Sequence, residues 1–137
     1  MAYEGTEVPV VKSQDKIRQM LIKHGGGRVA FISDPPLEGF QAVVQIDGKP
    51  YSIKIMAHLR AKRDPEAECR RIWRVLYHHM KGIFEAADSG VMEFREMMLP
   101  YIIASDGRTV GEHILPKLDA ALAGRPDRLL PAPAEIA

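Results

Sequence analysis

The sequence predicts an α+β domain: an N-terminal helix, a three-stranded antiparallel meander covered by a long helix, then two short C-terminal helices. Three observations carry this. Residues 64–90 place Ile72, Trp73, Leu76, Tyr77, Met80, Ile83, Phe84 and Ala87 on the +1, +3, +4 spacing of a wide apolar helical stripe. Residues 28–55 change to a period of two, the spacing of strands with one buried face. Asp47-Gly48 sits between two such runs, where a type I′ hairpin turn is favoured.

Taken in order, residues 1–13 end in VPVVKS, which reads as an extended apolar segment because Pro9 fixes its own φ and biases Val8 away from helix. Ser13 is then the expected N-cap of a short helix, with Asp15 in its first turn. Ile17, Met20, Leu21 and His24 form its inner face, and Gly25-Gly26-Gly27 ends it. In RVAFIS, Val29 and Phe31 share a side until Asp34-Pro35-Pro36 stops the strand. FQAVVQI puts Phe40, Ala42, Val44 and Ile46 on one face, and Tyr51, Ile53 and Ile55 continue that face beyond the turn. The reverse face carries Gln41, Gln45, Ser52 and Lys54, the pattern of a half-solvated sheet.

Such a sheet needs a cover, and the stripe of the long helix matches it. Asp64 as N-cap, Pro65 at the first helical position and Glu66 and Glu68 in the first turn make a strong start; Ser89-Gly90 makes the end. Residues 92–99 read as a short helix with Phe94, Met97 and Met98 inward, closed by Pro100. After a turn at Asp106-Gly107, a last helix spans about 109–122 with Val110, Ile114, Leu118 and Leu122 as its stripe. Pro116 either kinks that helix or marks its true start. Residues 1–130 are expected to form one domain and 131–137 an irregular tail rich in proline.

Composition narrows the function classes. A hydrophobic share of 46% and a charged share of 27% exclude wholesale disorder. No apolar run reaches the ~20 residues of a membrane span, and MAYEGTEV lacks the basic and apolar regions of a secretion signal, so cytoplasmic residence is expected. One cysteine, Cys69, excludes an internal disulfide. The net charge of +1 conceals an asymmetry: residues 60–81 carry seven Lys/Arg against three Asp/Glu, and residues 82–137 carry five against nine.

The basic set Arg60, Lys62, Arg63, Arg70, Arg71, Arg74 and Lys81 is the most suggestive feature. Arg70 and Arg74 are one turn apart, so several of these groups can line one ridge and meet successive phosphates. The plainer alternative is a solvated helix face on which Glu66 pairs with Arg70 at i,i+4. The polar sheet face, with Arg28, Lys49 and Lys54, could hold an extended strand but lacks exposed aromatics for stacking. The histidines offer no metal motif: His78 and His79 are adjacent and point about 100° apart. Cys69 lacks an assignable catalytic histidine and reads as an inert thiol. GGGR lacks the GK[ST] ending of a phosphate loop. DGRTVGE is explained by a T-x-x-E capping box, Thr109 with Glu112, which leaves Arg108 unassigned.

Three segments, TEVPVVKSQDKI, CRRIWRVLYHHMKGIFEAADSG and FREMMLPYIIASDGRTVGEHILPKL, resemble a group of short proteins encoded in phages, prophages and integrative elements of bacteria. They cover over half the chain, and its crossover from sheet to helix is shorter than in that group. The resemblance implies a setting beside replication or recombination genes and brings no activity or catalytic residue. The expectation is a non-enzymatic accessory protein of a mobile element, without cofactor or metal, binding nucleic acid, and single-stranded DNA in particular, through the seven cations. The alternative is a protein-protein interaction module, such as an inhibitor of a host defence nuclease or a subunit of a phage assembly. Self-association is compatible with either.

Overall fold

The computed structural model describes residues 3, 5–60 and 64–124. Its elements run α1 (Val10–Lys23), β1 (Gly27–Asp34), β2 (Leu37–Ile46), β3 (Lys49–His58), α2 (Pro65–Asp88), α3 (Phe94–Met98), a 3-10 turn (Leu99–Tyr101) and α4 (Val110–Gly124). The expected α+β architecture is what forms. The sheet is an antiparallel meander in the order β1-β2-β3. Val44 pairs with Tyr51 and Ile46 with Lys49 across Asp47-Gly48, whose φ values of 52° and 78° are those of a type I′ turn. Near the start of β1 the register to β2 shifts, and Arg28, at φ 51°, occupies that irregularity.

One apolar cluster joins Phe40, Ala42, Val44, Ile46, Ile53 and Ile55 of the sheet to Ile17 and Leu21 of α1 and to Ile72, Trp73, Leu76, Met80, Ile83 and Phe84 of α2. Each such side chain, fully buried, contributes roughly 1.5–3 kcal/mol. The cover over the sheet is therefore two helices side by side rather than α2 alone. They run parallel. Arg70 bonds to Thr6 just before α1, Lys16 lies over the Tyr77 ring, and His24 at the end of α1 reaches Asp88 at the end of α2. His24 is held at both nitrogens, 2.8 Å from the Met20 carbonyl and 2.9 Å from the Asp88 carboxylate, and stacks on Phe84.

Helix α1 begins four residues earlier than expected. Its N-cap is Pro9, whose carbonyl accepts from Lys12 and Ser13, and Ser13 lies fully buried inside the helix with its hydroxyl unpartnered. Pro9 restrains only Val8 before it; Val10 is free to turn and packs against the core at the i,i+7 position to Ile17. Helix α2 forms as expected, with Asp64 accepting from the Ala67 N–H at 3.1 Å.

Beyond α2 the chain runs beside the free edge of β3, where Ile102 bridges to Ile53 and the Ile103 N–H donates to the Ser52 carbonyl. Helix α4 runs through Pro116, so the proline lies inside it. Thr109 Oγ1 accepts from the Glu112 N–H at 3.1 Å, which starts the helix as the T-x-x-E pattern requires. Its expected apolar stripe is not buried: α4 packs chiefly on the 3-10 turn, with Ile114 50% and Leu115 57% exposed. The tail at 131–137 and the crossover residues 61–63 lie outside the described residues.

Candidate nucleic-acid interface

At about 100° per residue, Arg70, Arg74 and Lys81 fall within about 40° of one another along α2, beside the seam with α1. Arg70 donates from Nε to the Thr6 carbonyl at 3.4 Å. Arg74 lies over the Tyr77 ring, 4.8 Å from its centroid, and its Nη1 is buried without a hydrogen-bond partner. Lys81 is exposed and forms a weak, solvent-screened ion pair with Glu85 at 3.8 Å.

Across the seam, Lys16 lies 5.5 Å from the centroid of Tyr77, so this ring is flanked by cations from two helices. Lys12 and Lys23 stand at i−4 and i+7 from Lys16 and share its flank of α1. His78 senses the convergence. Its protonation is disfavoured first by burial, then by the charges of Arg74, Lys81 and Lys16, with Glu85 opposing weakly. Tyr3, 40% exposed, stacks flat on the His78 ring at 4.6 Å and adds an aromatic surface to the ridge.

The seven cations expected from the sequence therefore separate. Arg70, Arg74 and Lys81 share the ridge. Arg71 turns about 100° away and is engaged by Glu68; both side chains are 17% exposed, and the Arg71 hydrogen bond holds the Glu68 carboxyl below its usual range. The anticipated Glu66–Arg70 pair gives way to Glu68–Arg71 at i,i+3, because Arg70 reaches to Thr6 instead. Arg60 is exposed just beyond β3, and Lys62 and Arg63 lie outside the described residues.

Spacing alone could have added the lysines of α1: 12, 16 and 23 repeat at four and seven. A second feature was also legible. Reading the β2 alternation back from Phe40 puts Glu38 on the core face, and it is buried at 1% exposure. Its Oε1 accepts from Ser33 Oγ at 2.8 Å and from the Cys69 thiol at 2.9 Å, and its Oε2 has no partner. Burial first, and then Glu38, push the Cys69 thiol up to about 11, which keeps it protonated at neutral pH. These groups line a cleft of about 480 Å³ with Arg70 and the apolar side chains of Pro9, Val10, Pro35, Leu59 and Pro65. Among the described residues no three His, Cys, Asp or Glu side chains are grouped to hold a metal, and no helix is long and apolar enough to cross a membrane.

Fold and site together define a small α+β domain with a cationic seam between two parallel helices. Comparison with protein-family models, curated proteins and solved structures found no match.

Proposed function

We propose that this protein is a non-enzymatic nucleic-acid-binding accessory factor that holds single-stranded DNA along the α1/α2 seam. The observation that carries this reading is geometric: Lys16 of α1 and Arg74 of α2 flank the Tyr77 ring at 5.5 and 4.8 Å from its centroid, so cations of two helices meet at the seam. Protonation of His78 beside them is disfavoured first by burial and then by Arg74, Lys81 and Lys16, with Glu85 opposing. A convergence of cations of this kind attracts a polyanion and meets its phosphates one by one. Tyr3, flat on His78 and partly open, favours a single strand, since bases unstacked from a duplex can lie on an aromatic face. The resemblance to proteins encoded beside replication or recombination genes of phages and integrative elements agrees with it. A labelled single-stranded oligonucleotide, titrated at low salt, tests it: saturable binding supports the reading, and no binding to single or double strands removes it.

A second reading, a protein-protein interaction module, is favoured by α4. Val110, Ile114, Leu118 and Leu122 recur on one flank of a helix in which no residue is buried, which is the form of a face that receives a partner. A phage or host protein, or a second copy of the chain, would meet it there. Sedimentation of the purified protein, alone and with oligonucleotide, separates these readings: a monomer that binds DNA favours the first, and a dimer indifferent to DNA favours the second.

A further inference from the structure

The cleft around Glu38 extends the nucleic-acid reading and rests on it. Every other even-numbered position of β2 from Phe40 to Ile46 is apolar and buried, so Glu38 is a carboxyl group held on the core face of the sheet. Burying such a group costs stability unless its oxygens are satisfied, and here only one is. The two donors on Oε1, Ser33 and Cys69, use both of its lone pairs. Oε2 is buried and has no partner among the described residues, and it belongs to a side chain that lines the cleft, where an entering donor would meet it.

The walls indicate which donor it would take. Prolines 9, 35 and 65 with Val10 and Leu59 give the cleft apolar sides suited to a flat ring, and 480 Å³ lies within the range of small-molecule sites. Glu38 and Glu66 repel a phosphate from the cleft itself. Arg70 also lines it, belongs to the phosphate-binding ridge, and makes no hydrogen bond among the described residues except from Nε to Thr6. A strand lying on the ridge can thus leave a phosphate on Arg70 while a neighbouring base turns into the cleft.

We infer that the cleft reads a base bearing an exocyclic amino group, such as cytosine or adenine, through an N–H donated to Glu38 Oε2. Thymine and uracil are rejected there. Their only Watson–Crick donor lies between two carbonyls, which would face the carboxylate.

The test is fluorescence anisotropy at pH 8 with labelled oligo-dC, oligo-dA and oligo-dT. The wild-type protein is expected to prefer oligo-dC over oligo-dT on the order of tenfold. Glu38→Gln, whose amide can also donate, should abolish the ratio by weakening oligo-dC and strengthening oligo-dT, with the salt dependence unchanged. A second measurement needs no variant: oligo-dC should protect Cys69 from alkylation in the wild-type protein, and oligo-dT should not. Equal, salt-dependent binding of the homopolymers with no difference in protection overturns the base-reading inference and leaves the nucleic-acid reading standing. Absence of binding to all of them overturns both.

Discussion

Replacing the two lysine ammonium groups that flank the ridge, Lys16 of α1 and Lys81 of α2, gives the proposed interface a quantitative test. Lys16, Arg70, Arg74 and Lys81 face the seam, and the flank shared by Lys12 and Lys23 allows at least one further contact. Five phosphate contacts on a single strand give a slope of log K against log salt of about −3.5. Between about 50 and 200 mM salt the affinity should then fall about a hundredfold. Removing both lysines takes away two contacts, which lowers the slope to about −2 and weakens binding on the order of fifty-fold near 50 mM. The assay is anisotropy of a labelled oligonucleotide over a series of salt concentrations, with Arg71→Ala as the comparison. Because Arg71 is turned toward Glu68, its removal should leave the slope unaltered. A slope that ignores Lys16 and Lys81 but shifts with Arg71 would refute the reasoning.

Other expected outcomes follow from local geometry. His113, 2.8 Å from Asp106, holds the Asp106 carboxyl below its ordinary value, helped by the Arg108 N–H. With the folded value depressed, the stabilisation is complete above the ordinary aspartate range and lost as pH falls through the lowered value. His113→Ala should move the Asp106 midpoint upward in an NMR titration. Alkylation of Cys69 should stay slow at neutral pH and accelerate toward pH 11, and Glu38→Gln should bring that rise to lower pH. Met80→Ala, at a fully buried site, should cost about 2–5 kcal/mol in denaturant unfolding. Gly39→Ala should also destabilise the fold, since its new Cβ would collide with the Ile55 carbonyl and with Met56 on the adjacent strand.

The fold was legible where periodicity and punctuation agree. Trp73 to Phe84 mark their buried face by spacing, and Asp47-Gly48 and Asp64-Pro65 admit few alternatives. It was illegible where apolar spacing lacked a partner. Val110, Ile114, Leu118 and Leu122 have a good stripe, but a stripe states only that a helix can be covered, not that the same chain covers it. Ser13 misled because its preference for helix starts is weaker than the pull of the core on Val10, Ile17 and Leu21. At the interface, Arg70, Arg74 and Lys81 follow from helical phase, and Arg71 could have been separated by the same reasoning. The stacking of Tyr3 on His78 and the pairing of Cys69 with Glu38 join residues 75 and 31 positions apart in the chain; only tertiary structure brings them together.

His78 is the most direct reporter of the central claim, because after burial it is the cations proposed to hold phosphate that disfavour its proton. Its folded value is lowered by burial and by Arg74, Lys81 and Lys16, so free His78 should titrate below the ordinary histidine midpoint. The decisive measurement is the NMR titration of His78 with and without a saturating single-stranded oligonucleotide. Phosphates placed on the ridge would screen those charges and raise the midpoint. A protein that binds the oligonucleotide while the His78 midpoint stays unmoved would contradict the account.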